Sequence, residues 1–167
     1  DMEQRTSLNW GQPSLFRGEA GGVTLNLEER TADFHSFSTV RSCRSCSQGQ
    51  SAYYEIEILD DELENPQFGF CSPGFESAQT YTGIGVGDDQ NSWGVDGMRS
   101  RKWRTGADGQ DIVEKYMCRW KCEDVLGFAV DLVERKIFVS VNGSYEWPNG
   151  LAFELEERHL ECFKAVR

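Results

Sequence analysis

From Leu126 to Val141 the chain alternates. Leu126, Phe128, Val130 and Leu132 take every second position, and Ile137, Val139 and Val141 resume the pattern after a tight break at Glu134 and Arg135. A period of two sends successive side chains to opposite faces of an extended strand. The run stops at Asn142-Gly143, two residues that both tolerate positive φ and so close a sharp hairpin. Tyr53 to Leu59 repeats the pattern, with Tyr54, Ile56 and Ile58 on one face and Glu55 and Glu57 on the other, as in an antiparallel sheet with one wet face.

Other segments read the same way. Val23, Leu25 and Leu27 alternate with polar residues; Phe34 to Arg41 is rich in β-formers; Gln67 to Cys71 carries Phe68 and Phe70 inward. Tyr116, Cys118, Trp120 and Cys122 alternate as a further predicted strand, and Leu151 to Phe153 and Leu160 to Val166 complete the set. Residues 42–51, SCRSCSQGQS, read as a polar loop, and Ser72-Pro73-Gly74 as a turn. No amphipathic stretch is long enough for a crossover helix. Ten or more short strands, with turn signals every eight to twelve residues, predict an all-β, bent two-sheet antiparallel β-sandwich of the jelly-roll kind.

The stretch from Gly83 to Gly106, GIGVGDDQNSWGVDGMRSRKWRTG, invites a nucleotide reading that fails on spacing. A dinucleotide fingerprint needs G-x-G-x-x-G between a strand and a helix. Here Gly83, Gly85 and Gly87 alternate with Ile84 and Val86, and nothing helical follows. They are read as strand glycines on one face, making room for tryptophans packed above them.

The 167 residues predict one domain, with residues 1–19 as an irregular lead-in and 20–167 as the folded unit. A net charge of −11 argues against nucleic acid as a partner, since that binding neutralises phosphates with Lys and Arg. The basic run from Arg99 to Arg104 is read as supplying local ion pairs. No apolar run of membrane-spanning length occurs and no signal peptide is visible, so no membrane partner is expected. Six cysteines, Cys43, Cys46, Cys71, Cys118, Cys122 and Cys162, fit core thiols better than a disulfide framework. Cys43-Arg-Ser-Cys46 is the one pair with metal-like spacing, and neither a second such pair nor a nearby histidine completes a zinc site. No metal or cofactor is expected. Asn142-Gly143-Ser144 is formally a glycosylation acceptor, but the hairpin explains the pair without sugar.

In order along the chain, STVRS at 38–42, GQSAYYEIEI at 49–58, PQFGFC at 66–71, GIGVGDDQNSWGVDG at 83–97, RKW at 101–103 and DVLGFAVDLVERKIFVSVNG at 124–143 together resemble the SPRY domain. The resemblance spans roughly residues 20–165. It departs at residues 159–167, HLECFKAVR, which lack the proline with which the family usually closes. The resemblance implies a bent β-sandwich that binds rather than catalyses: a monomeric module that takes a protein or peptide partner with loops at one end. It implies a place inside a larger cytoplasmic protein, such as a ubiquitin-ligase substrate receptor or a scaffold.

Aromatic and arginine side chains supply most of the energy at such interfaces. Trp93 and Trp120 sit in strand patterns and are read as core. Trp103, among cations, is read either as exposed or as packed. Trp147, with Tyr145 in the loop after the hairpin, is the best candidate for an exposed anchor; its alternative is a lid over the sandwich edge. The resemblance places Arg41 and the 42–51 loop beside the family's binding loops; the alternative for Arg41 is a structural ion pair with one of the many acids. The predicted partner surface therefore comprises Arg41, Ser45, Gln50, Tyr81, Arg101, Trp103, Tyr145 and Trp147. The rival class is a carbohydrate-binding or glycoside-hydrolysing jelly roll, for which Glu55 and Glu57 share a face. The third position on that face is Leu59, and Asp60 is out of phase, so a solvated sheet face explains the pair. With two isolated histidines, no nucleophile–base arrangement is legible, and no catalytic residue is assigned.

Overall fold

The computed structural model describes residues 22–26, 28–35, 38–60, 66–75, 84–157 and 162–166. They form twelve strands: β1 (Val23–Asn26), β2 (Thr31–Phe34), β3 (Arg41–Ser47), β4 (Ser51–Glu57), β5 (Phe68–Cys71), β6 (Ser92–Asp96), β7 (Arg101–Thr105), β8 (Asp111–Lys115), β9 (Val125–Asp131), β10 (Lys136–Val141), β11 (Gly150–Glu154) and β12 (Cys162–Val166). β1 and β2 make a separate hairpin. The other ten make two sheets, ordered β11-β10-β9-β4 and β3-β12-β5-β6-β7-β8, every pairing antiparallel. The all-β sandwich expected from alternation is the fold observed.

The core lies between the sheets. Tyr54 of β4 stacks on Phe128 of β9 with ring centroids 5.1 Å apart, and meets Phe70 of β5 edge-on at 5.3 Å. Such pairs gain quadrupole attraction beyond their buried area. The Tyr54 hydroxyl donates to the Gly69 carbonyl at 2.7 Å, joining the two sheets through their centre. Two more polar ties join the sheets at the β11 edge: Tyr116 Oη to the Gly150 carbonyl at 3.1 Å, and Lys102 Nζ to the Ala152 carbonyl at 2.6 Å.

Backbone bonds define two ends of the four-stranded sheet. At one end the Leu132 amide donates to the Gln50 carbonyl, so the β9–β10 turn meets the β3–β4 turn. At the other, the Ile58 amide donates to the Asp124 carbonyl and the Asn142 amide to the Val125 carbonyl. The exits of β4 and β10 and the entry of β9 are thereby gathered together.

Four local expectations are corrected. Most of the polar loop expected at 42–51 is strand β3, and the turn shrinks to Gln48, Gly49 and Gln50. An edge strand pairs through its backbone, so small polar residues suffice there. Of the strand expected from Phe34 to Arg41, Phe34 ends β2, residues 38–40 are not strand and Arg41 starts β3; residues 36 and 37 lie outside the described residues. Gly85 and Gly87 lie in a turn segment, and Gly87 has φ +101°. A side chain there would overlap Trp103, so this glycine does make room for a tryptophan, from a loop. Gly83 lies outside the described residues. Tyr116 to Cys122 is no strand, although Tyr116, Cys118 and Trp120 are all buried. The segment crosses from the edge of one sheet to the middle of the other, so every second side chain turns inward without a ladder. The last strand, β12, sits between β3 and β5 despite the missing proline. The lead-in at 1–19 lies outside the described residues.

Candidate functional site

The loop from Asn142 to Asn149 joins β10 to β11. Asn142 and Gly143 have φ of 52° and 78°, the positive pair that the Asn-Gly sequence predicts. The Ser144 amide donates to the Val141 carbonyl at 3.0 Å, the Asn149 amide to the Glu146 carbonyl at 2.9 Å, and Asn149 Nδ2 to the Ser144 carbonyl at 3.1 Å. The Asn142 side chain locks the base: its Oδ1 accepts from the Val125 amide at 2.9 Å, and its Nδ2 donates to Asp124 Oδ1 at 2.8 Å. The Trp147–Pro148 bond is cis. On this tied scaffold Trp147 is 85% exposed and Tyr145 43% exposed. A loop held by its own hydrogen bonds loses little further entropy when a partner docks on it. Trp147 covers no sandwich edge, so the lid alternative does not describe it.

Beside this loop runs the outer face of the four-stranded sheet. Tyr53, Ala129, Phe138 and Leu151 stand in one row across β4, β9, β10 and β11. Tyr53 and Leu151 are 50% and 45% exposed. The Tyr53 hydroxyl donates to Glu55 Oε1 at 2.7 Å. Partial burial, then the bond to Glu55, then the nearby Tyr145 phenol push the Tyr53 phenol well above its ordinary range. It is therefore a neutral donor at any physiological pH. Sequence reading passed over Tyr53 and Leu151. For Tyr53 the signal was legible, because alternation puts it with Glu55 and Glu57 on the wet face, where an aromatic is out of place.

The predicted surface falls into separate places. Tyr145 and Trp147 share the β10–β11 loop. Arg41, half-buried, and Ser45, exposed, lie on β3 at one edge of the six-stranded sheet. Arg101, exposed, and Trp103, half-buried, lie on β7 near its other edge. Arg41 and Trp103 share a row through Val166, Gly69 and Gly94, four strand spacings or about 19 Å apart. Gln50 sits at the opposite end of the four-stranded sheet from Trp147, about 20 Å away by the length of β10. Tyr81 lies outside the described residues. One partner engaging Tyr145 and Trp147 does not reach Gln50 without spanning the whole sheet.

The cations of β7 are not equivalent. Lys102 pairs with Glu114 at 2.8 Å, and Arg104 approaches Glu156 at 4.0 Å. Both face an open cleft of about 290 Å³ between β7–β8 and β11. The bond from Lys102 holds the Glu114 carboxyl below its usual range. Arg99 pairs with the fully buried Asp96, and its guanidinium lies 4.8 Å from the Trp103 ring centroid. Trp93 and Trp120 are core side chains, 3% and 5% exposed. Cys46, Cys71, Cys118 and Cys122 carry thiols rather than disulfides, and among the described residues no group of His, Cys, Asp and Glu is placed to hold a metal ion.

The structure is thus a sandwich of two antiparallel sheets with exposed aromatics on the β10–β11 loop. The SPRY domain model matches residues 51–164, and the chain belongs to that family, whose members are in general protein-interaction modules. Its fold is also that of the SPRY domain of human HERC1, known from a crystal structure: the TM-score is 0.58 at 14% sequence identity, over 77% of this chain and 72% of that one. Among the described residues no helix is long and apolar enough to cross a membrane.

Proposed function

We propose that this domain is a non-catalytic binding module that takes a peptide segment or a folded protein partner on the β10–β11 loop and the adjoining outer face of the four-stranded sheet. Trp147 carries the reading. An 85% exposed tryptophan on a hydrogen-bonded loop is a preformed anchor, and interface energy concentrates in such residues. Tyr145, Tyr53 and Leu151 extend the surface around it. The module acts as a monomer within a larger cytoplasmic protein, such as a ubiquitin-ligase substrate receptor or a scaffold. The thiols at Cys46, Cys71, Cys118 and Cys122 support a reducing compartment.

The test is affinity capture from lysate with quantitative mass spectrometry, using wild-type domain, Trp147→Ala and Gln50→Ala. Partners lost with Trp147→Ala and kept with Gln50→Ala place the site on this loop. Partners kept with Trp147→Ala remove it from there.

A further inference from the structure

Arg101 of β7 and Lys115 of β8 stand directly opposite one another. Both are exposed, and among the described residues neither belongs to an ion pair. Like charges opposed on a sheet face weaken the strand pair. The chain holds 28 acidic residues against 17 basic ones, yet among the described residues none forms an ion pair with either cation. In the next row Trp103 lies between Gly94 and Val113, with Val113 37% exposed and the Arg99 guanidinium over the indole. The Trp103 side chain is half-buried, with its Nε1 buried and without a hydrogen-bond partner, so what it presents on this face is apolar ring. Asp96 opposes Arg101 from β6, but its carboxylate is buried and taken by the Arg99 amide and guanidinium. Asp111 belongs to the far end of the strands, opposite Thr105. The Arg101 end of this face is therefore a cationic island around an apolar floor, on a strongly acidic protein.

We propose that the outer face of β7 and β8 is a docking surface for an acidic segment of a partner protein, with Arg101 and Lys115 holding its carboxylates and Trp103 and Val113 taking an apolar side chain. The proposal rests on reading the domain as a protein-binding module, but not on the β10–β11 loop. The opposed cations are its charge complement: a carboxylate set between them replaces a repulsion by two charge-assisted hydrogen bonds. Arginine suits that role because its planar fork matches a carboxylate.

The probe is a fluorescein-labelled oligo-glutamate peptide with a central leucine, beside the same peptide with glutamine and with phosphoserine, followed by anisotropy. The expected result is saturable binding of the glutamate peptide that weakens with salt, is absent for the glutamine peptide, and is retained by Trp147→Ala. Lys115→Glu should weaken it by about tenfold or more, as losing one charged contact does. The same substitution should leave the melting temperature unchanged or raise it, because a glutamate there pairs with Arg101. A merely structural lysine gives the opposite melting result. Should Lys115→Glu melt early, Arg101→Gln and Lys115→Gln are judged by the same affinity criterion. Equal binding of the glutamine peptide, unchanged affinity in the charge variants, binding confined to the phosphoserine peptide, or loss with Trp147→Ala overturns the proposal. Partner capture that still depends on Trp147 then leaves the binding-module reading standing without it.

Discussion

At the scale of single residues, buried polar atoms set the largest penalties. The Tyr54 hydroxyl donates to the Gly69 carbonyl of the facing sheet through the aromatic core. Tyr54→Phe keeps the ring stack and removes this bond, so it should cost about 0.5–1.5 kcal/mol, read as a lower denaturation midpoint at unchanged slope. Cys118 makes a second residue-scale prediction. Burial, and after it the charge of Asp124, push its thiol up to about 12. The thiolate is the reactive form, so Cys118 should resist alkylation in the folded state and react on unfolding. Mass spectrometry of the native labelling time course should find the partly exposed Cys122 modified before Cys118. Early labelling of Cys118 would show that the core opens there.

Asp88 and Asp89 carry a pH effect of defined sign. Each carboxyl is raised above its ordinary value, chiefly by burial and against bonds from Gly85 and from Ser92 and Asn91. A raised carboxyl binds its proton more tightly folded than unfolded. Stability from these groups is therefore greatest below the ordinary aspartate value of 3.8 and falls as pH rises through their raised folded values. Asp88→Asn keeps an oxygen acceptor for the Gly85 amide and removes the titration. It should flatten that part of the stability–pH profile, measured by denaturant unfolding across the acid range.

At the scale of elements, the β10–β11 loop separates stability from binding. Trp147 is almost wholly in solvent, so Trp147→Ala should change stability by less than about 0.5 kcal/mol while removing partner binding. Asn142 is the reverse. Its side chain bonds Val125 and Asp124 and ties the hairpin to the start of β9. Asn142→Asp replaces the donor to Asp124 with a second carboxylate and should lower the melting temperature at neutral pH. On the adjoining face, Glu55→Gln with Glu57→Gln should leave partner capture intact, because these side chains edge the proposed surface without anchoring it. Loss of binding, or of a sugar-cleaving activity, in that double variant would return the carboxylates to the centre of the function.

At the scale of the whole molecule, the two sheets bring together elements far apart in the chain, and legibility divides there. Alternation in Tyr53 to Leu59 and Leu126 to Val141 is local, because strand side chains obey a period of two whatever their neighbours. The Asn142-Gly143 turn is local for the same reason. Those signals were enough for an all-β sandwich and for an exposed loop carrying Tyr145 and Trp147. Two predicted features failed because they depend on pairing. Residues 42–47 look like a loop, yet become a strand when β12 lies beside them. Tyr116 to Cys122 look like a strand, yet have no ladder because they pass between sheets.

The candidate surface divides in the same way. Residue type and context marked Arg101, Trp103 and Trp147, because interface energy concentrates in aromatic and arginine anchors, and the family resemblance marked Arg41 and Gln50. Which of them share a face is a matter of strand order. Sheet order sets Arg41 and Trp103 four strands apart, puts Gln50 at the other end from Trp147, and opposes Arg101 to Lys115. The sequence by itself determined periodicity, turn chemistry and the choice of side chains. The tertiary structure alone decided which side chains meet, because antiparallel register joins residues through hydrogen bonds between strands that local patterning does not encode.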